Sequence, residues 1–244
     1  MRRPAETKPD YGLDAPHWFY LWLYTGLSGS ALWLLLNHFR APRLVRAGVG
    51  AAALWGLITT PFFVFSSRVL KLQEADHMID VLTWRGDERV LDVGCGRGVL
   101  LVKAAQRLTV GSALGVDTWQ ARHHASQHGS ATLANAEAEG VGDKVALCDG
   151  DARRLPFLDA SFDVVLSGMC IHNISHSEYE ERRSALTEIV RVLKPGGQLA
   201  IMDLVLTPEY ARVLRALGMV NVRHHWRVPL WAVPFGWVIA RKPT

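Results

Sequence analysis

The chain has 244 residues, 49% of them hydrophobic, and a formal net charge of +4, which allows one large domain plus extra elements. With so modest a charge and no basic run interleaved with aromatics, the sequence argues against a nucleic-acid partner. Cys95, Cys148 and Cys170 are odd in number and lack C-x-x-C spacing, so neither a disulfide framework nor a zinc site is suggested, which suits a reducing compartment.

After a tail over residues 1–17, two stretches carry no charged side chain, Trp18 to Leu36 and Ala47 to Phe65. Each is about 19 residues long, so as a helix it is roughly 28 Å, close to the ~30 Å hydrocarbon core. A short polar segment, 37–46, joins them, and the pair over 18–65 reads as a transmembrane helical hairpin. Trp18, Tyr20, Trp22 and Tyr24 form an aromatic belt at its first end. Pro61 is expected to kink or fray the second helix. No small-x-small site follows the first run, against a signal peptide. A hairpin lying in the interface stays open as an alternative, because Arg40, Arg43 and Arg46 sit in the connecting segment. Gly48, Gly50, Ala51, Ala52, Ala53 and Gly56 supply a small-residue face for close helix pairing, including pairing in a homo-oligomer.

Residues 66–87 are expected to form a linker helix, with Val69, Leu72, Met78, Ile79 and Leu82 on one face over 68–83. The remainder, 88–244, alternates between periods. Strands are predicted at 89–93, 113–117, 144–148, 162–167, 198–205, 220–228 and 235–241, and helices at 98–108, 120–139, 178–193 and 208–217. Such alternation implies a parallel sheet with helices on both faces. The last two strands, separated by a turn region at 229–234, are expected to form an antiparallel edge pair.

The run Val90-Leu91-Asp92-Val93-Gly94-Cys95-Gly96-Arg97-Gly98 is the most specific segment. A buried strand breaks there into a glycine turn that lets the backbone approach a ligand, and the following helix aims its unpaired N–H groups at the same place. The dinucleotide pattern G-x-G-x-x-G requires a small residue where Val99 stands, which disfavours a nucleotide-dependent oxidoreductase.

Together with Gly115-Val116-Asp117, Gly150-Asp151-Ala152 running into Leu155-Pro156-Phe157, Ser161-Phe162-Asp163-Val164-Val165 and Arg191-Val192-Leu193-Lys194-Pro195-Gly196-Gly197, this run resembles the ordered motifs of class I S-adenosylmethionine-dependent methyltransferases. The flavour is that of the small-molecule and quinone-biosynthesis branch, and the resemblance spans roughly residues 74–242. It implies an α/β, Rossmann-like seven-stranded methyltransferase fold, here preceded by two transmembrane helices. It also implies S-adenosyl-L-methionine as cofactor. Gly94, Cys95 and Gly96 would then line the methionine portion, and Asp92 would orient the loop or reach the ammonium group through water. Asp117 would accept the ribose hydroxyls, and Thr118 or Trp119 would pack beside the adenine. Asp151 and the backbone of Ala152 would read the adenine edge. Ser167 lies where the family places the methyl and its acceptor. His172, just beyond, has a side chain suited to general-base work, with loop anchoring as the other reading. His77 is a further candidate base. His124 and His128 have i, i+4 spacing but no accompanying carboxylate, which argues for a solvated helix face rather than a metal site.

Leu206 passes straight into Thr207-Pro208-Glu209, leaving little chain to roof a substrate after the fifth strand. The expectation is a pocket opening toward the bilayer. The domain would lie on the cytoplasmic side and act on a small lipophilic acceptor: a lipid amine, a quinone-like ring, a thiol or a phenol. A membrane-tethered protein that binds the cofactor without turnover is the alternative.

Overall fold

A computed structural model describes residues 8–13, 16–119, 129–175, 178–230 and 233–244. Its contacts divide the chain into two units, Gly12–Lys71 and, as the other, Met1–Tyr11 with Leu72–Thr244.

The smaller unit holds α1 (Pro16–His38) and α2 (Arg43–Phe65). Their backbones meet through glycine. A Cβ built on Gly56 would stand 2.5 Å from the Gly26 nitrogen, and one on Gly29 would stand 3.0 Å from the Ala53 Cβ. Part of the small-residue face is thus used between the two helices of this unit, the close approach that small residues permit. The outer faces are apolar: Tyr24, Leu27, Leu34, Leu54, Trp55 and Ile58 are all exposed. Several threonine and serine hydroxyls of this unit donate to carbonyls within their own helices. Thr25 donates to the Leu21 carbonyl at 2.8 Å, Ser30 to Gly26 at 2.7 Å, and Thr60 to Gly56 at 2.7 Å. Both helices are long and apolar enough to cross a membrane.

α2 does not end at Pro61, which lies inside it. A π-helical stretch, Ser66–Leu70, carries the helix on into α3 (Lys71–Val81). The helix expected to begin at 68 is therefore a continuation of α2 rather than a new start.

The larger unit is built on one seven-stranded sheet. Its strands are β1 (Arg89–Val93), β2 (Ser112–Asp117), β3 (Val145–Asp149), β4 (Phe162–Gly168), β5 (Leu193–Leu204), β6 (Val220–Leu230) and β7 (Val233–Arg241). Their order is β3-β2-β1-β4-β5-β7-β6, with β1 to β5 parallel and β7 antiparallel to both of its neighbours. The parallel strands read as near-continuous apolar runs because both faces are covered; Val90, Leu91 and Val93 are fully buried, as are Val164, Val165 and Leu166. The helices are α4 (Val99–Ala105), α5 (Ser130–Ala138), α6 (Ile171–Ile174), α7 (Tyr179–Val192) and α8 (Thr207–Ala216).

Several expected boundaries are corrected. β5 starts at Leu193 rather than 198, because Leu193 pairs with Phe162 ahead of a register shift. The turn between the last strands is shorter than 229–234, since Leu230 already pairs with Val233. The helix expected over 98–108 ends at Ala105, with Gln106 as its cap. Of the helix expected at 120–139, residues 120–128, which include His124 and His128, lie outside the described residues. The short helix α6 had no periodic signal to announce it.

The chain crosses from β1–β2–β3 on one side to β4–β5 on the other, so the strand order reverses beside β1. Open sheets of this type present a crevice at the carboxyl ends of the strands at such a switch point.

Candidate active site

Three loops meet at that crevice. The first is the turn after β1. Gly94, Gly96 and Gly98 have φ of +72°, +49° and +83°, a region that non-glycine residues avoid. The Gly94 nitrogen donates to the Val116 carbonyl at 2.8 Å, and the Gly98 nitrogen donates to the Cys95 carbonyl at 2.7 Å. Gly94 also takes the close approach of the loop after β4, because a Cβ there would sit 2.1 Å from the Cys170 Sγ.

The second is the end of β2. Asp117 Oδ2 accepts the Gly96 N–H at 2.9 Å, and Oδ1 accepts the Trp119 N–H at 2.9 Å. One carboxylate thus links the glycine turn to the segment that follows β2. Trp119 has a φ of +53°, and its indole N–H donates to Asp149 at 2.8 Å at the end of β3. Thr118 is exposed.

The third is the end of β4. Ser167 is buried, and its hydroxyl donates to the Val93 carbonyl at 2.9 Å. It ties β4 to β1 and is a structural strut as well as a crevice residue. His172, on α6, is mostly buried, and its Nδ1 bonds to Asp203, the penultimate residue of β5. Sequence reasoning singled out His172 and missed Asp203. The available signal was a carboxylate inside the apolar run Ile201-Met202-Asp203-Leu204.

The glycine turn is braced from outside by residues also missed in the sequence. Thr132 donates to the Gly96 carbonyl, and Asn135 donates to the Arg97 carbonyl at 2.9 Å. Arg97 in turn holds Asp10, at 2.7 Å between Nη2 and Oδ2, and Asn135 accepts the Asp10 N–H at 2.8 Å.

Electrostatically the crevice is acidic. Asp92 is buried, and its Oδ1 has no hydrogen-bond partner among the described residues. Burial, with a smaller contribution from Asp117, pushes its carboxyl up to about 7. The thiol of Cys95 is raised by burial and by Asp92 and Asp117. Burial also raises the Cys170 thiol, with Asp117, Asp203 and Asp92 adding to it, so these three carboxylates act on one spot. A cationic ligand would relieve that repulsion. Asp151 stands apart from this set. Arg153 holds it in a fork, with contacts of 3.0 Å from Nε and 2.5 Å from Nη2, and this lowers its carboxyl below the ordinary value. Its neighbour Ala152 is buried. His77, the weaker histidine candidate, lies on α3 with its Nδ1 3.4 Å from Arg227, away from the β1–β4 switch. Among the described residues no group of histidine, cysteine and carboxylate ligands could hold a metal.

Residues 91–201 match the family described as methyltransferase domain. The chain is 39% identical over 120 residues to the O-methyltransferase rstn1 of Aspergillus nomiae, covering 49% of this chain and 48% of that protein. It is 32% identical over 134 residues to the ubiquinone/menaquinone biosynthesis C-methyltransferase UbiE of Dinoroseobacter shibae, covering 55% and 49%. The chain spans about half the length of the curated relatives it matches. Among solved structures it resembles geranyl diphosphate C-methyltransferase from Streptomyces coelicolor, with a TM-score of 0.58 at 15% identity, over 72% of this chain and 80% of that one. The strand order and the glycine turn agree with this match: residues 91–201 are similar to a methyltransferase domain.

Proposed function

We propose that the chain is a membrane-anchored methyltransferase that moves the methyl of S-adenosylmethionine to a small lipophilic acceptor. The observation that carries this reading is the acidic, glycine-lined crevice at the β1–β4 switch, where Asp92 and Asp117 face the glycine turn from neighbouring strand ends. A cofactor bearing an ammonium and a sulfonium supplies the positive charge this crevice lacks. In the assignment we favour, Asp117 holds the ribose hydroxyls, the turn at Gly94–Gly96 takes the methionine portion, and the β3 and Asp151 loops take the adenine. The sulfonium makes the methyl reactive on its own. The protein then supplies orientation, which is worth roughly 7–11 kcal/mol in well-aligned systems, and a surrounding that excludes water.

The exposed apolar faces of α1 and α2 support membrane anchoring, and a unit free of acidic residues from 16 to 71 fits an anionic lipid surface. Anchoring in turn favours an acceptor delivered from the bilayer. The test is formation of S-adenosylhomocysteine by the full chain in detergent, with paired acceptors that share a reactive head but differ in an acyl or isoprenoid tail. Faster turnover of the tailed acceptor is expected. Equal turnover of both counts against a lipophilic acceptor. Cofactor binding without any S-adenosylhomocysteine marks the tethered binding protein instead.

The buried Asp92 gives a pH test. Its folded carboxyl is raised to about 7, so the free protein keeps this group largely protonated at pH 5.5. Stability from the neutral form is fully present at low pH and is lost as pH rises from the unfolded value of about 4 to about 7. A bound ammonium favours the anion, so binding releases a proton. Affinity for S-adenosylmethionine is expected to rise about tenfold from pH 5.5 to pH 7. Calorimetry in two buffers of different ionisation enthalpy reads the proton directly. A flat affinity with no proton release contradicts the role given to Asp92.

A further inference from the structure

Asn135, on α5, is buried, and its side-chain amide joins two distant parts of the chain. Its Nδ2 donates to the Arg97 carbonyl at 2.9 Å, inside the glycine turn, and to the Asp10 carbonyl at 3.1 Å. Its Oδ1 accepts the Asp10 N–H at 2.8 Å. Arg97 reaches the same residue from the turn itself, with Nε on the Asp10 carbonyl at 2.8 Å and Nη2 on its Oδ2 at 2.7 Å. Asp10 lies 87 residues before Arg97 and 125 before Asn135, so a stretch from the start of the chain is fastened to the turn after β1. Tyr11, the next residue, lies by Glu139, the C-cap of α5. Burial, then the carboxylates of Glu139 and Asp76, raise its phenol, so it stays a donor.

The turn backbone is gripped at neighbouring points. The Gly96 N–H is held by Asp117, the Gly96 carbonyl by Thr132 and the Arg97 carbonyl by Asn135. The last of these grips is itself aimed by Asp10. A side-chain amide offers two N–H donors and one carbonyl. Among the described residues Asn135 makes three bonds with them, and two go to Asp10. Without Asp10 the amide keeps one bond and can turn to water, and the Arg97 carbonyl loses a fixed donor. The Asp10–Arg97 ion pair is partly open to solvent, 71% at the Asp10 side chain and 22% at Arg97, so its own attraction is small. The contribution of this stretch is the order it gives to Asn135, to Arg97 and through them to the turn.

We infer that the stretch at Asp10 is a strap on the cofactor turn: through Asn135 and Arg97 it sets the affinity for S-adenosylmethionine, and the bound cofactor tightens the strap in return. This rests on the methyl-transfer reading above, in which the turn at Gly94–Gly96 takes the methionine portion. Asp10 and Asn135 are positioning residues that act through the turn backbone. A turn already fixed in its binding shape meets the ligand without the cost of ordering it, which is how a distant clamp raises affinity. Linkage makes the effect mutual. Whatever factor the fastened strap adds to cofactor affinity, the cofactor adds to the fastening. The factor is modest, because it is carried by one or two hydrogen bonds near the surface.

The experiment uses the full chain in detergent, as wild type, Asp10→Ala, Asp10→Pro, Asn135→Ala and the Asp10→Ala/Asn135→Ala double variant. Calorimetry reads the affinity for S-adenosylhomocysteine, and hydrogen exchange with mass detection reads the peptide that contains Asp10. Asp10→Ala removes the carboxylate and should weaken binding about threefold. Asp10→Pro also removes the N–H held by Asn135, and it should weaken binding about tenfold, as should Asn135→Ala. The double variant should bind like Asn135→Ala alone, because the two residues act through one connection. In the wild type, saturating S-adenosylhomocysteine should slow exchange at Asp10 about tenfold, and in Asn135→Ala that slowing should vanish. A residue that only stabilises the fold would lower the unfolding temperature without this ligand-dependent exchange. If Asn135→Ala does not fold, the two Asp10 variants decide, since that side chain is exposed. Asp10→Pro binding as tightly as wild type, or exchange at Asp10 indifferent to a ligand that binds, overturns the strap and leaves the cofactor reading standing. No binding by the wild type overturns that reading and this one with it.

Discussion

Alanine in place of Asp117 is expected to weaken S-adenosylmethionine binding by a hundredfold or more while the domain stays folded. The carboxylate accepts the N–H groups of Gly96 and Trp119, so its removal leaves the glycine turn without the bond that ties it to β2. It also takes away the acceptor assigned to the ribose. Hydrogen bonds to a charged group are worth about 1.5–3 kcal/mol each, and losing two of them amounts to roughly 3–6 kcal/mol, or about two to four decades in Kd. Asp117→Asn keeps one carbonyl oxygen for Gly96 and should lose less, about tenfold. Titration calorimetry with near-ultraviolet circular dichroism on the same samples checks both. An Asp117→Ala protein that binds as tightly as wild type removes Asp117 from the site.

Gly94→Ala is expected to damage stability and cofactor binding together. The backbone there has φ +72°, and a Cβ would lie 2.1 Å from the Cys170 Sγ and 2.5 Å from its Cβ. A left-handed alanine costs about 1–2 kcal/mol, and overpacking adds about 1–3 kcal/mol. The contact is with a side chain rooted close to its backbone, so the loop after β4 has to move, and His172 moves with it. Denaturant unfolding should show a loss of about 2–5 kcal/mol. Cys170→Ala in the same protein relieves the sulfur contact but neither the Cβ contact nor the backbone strain, so rescue should be partial. Wild-type stability and binding in Gly94→Ala would mean that the turn does not sit against that loop.

The sheet was legible where burial writes itself into sequence. Leu91, Val93, Val165 and Ile201 lie in apolar runs that only a strand covered on both faces tolerates, and Asp92, Asp117 and Ser167 mark where those runs reach the crevice. What was missed depends on partners far apart in the chain. Nothing local to Asp203 says that it meets a histidine 31 residues earlier. Nothing local to Asn135 says that it reaches Asp10. Asp151 illustrates the opposite case: its position was read from the pattern, but the fork from Arg153 is a side-chain choice the pattern does not hold. The early start of β5 follows from Leu193 pairing with Phe162, a cross-strand contact no periodicity reports. The passage of α2 through Pro61 into α3 has the same origin, since helix continuity is settled by neighbours rather than by one residue's propensity.

If the crevice beside β1 holds S-adenosylmethionine, its product should occupy the same place. Titrating the detergent-solubilised full chain with S-adenosylhomocysteine, calorimetrically and by thermal unfolding, tests this most directly. One site per chain is expected, with a stabilisation of about 2.7 kcal/mol when the ligand reaches about a hundred times its Kd. No heat of binding, together with an unfolding temperature that stays fixed at millimolar ligand, would contradict it.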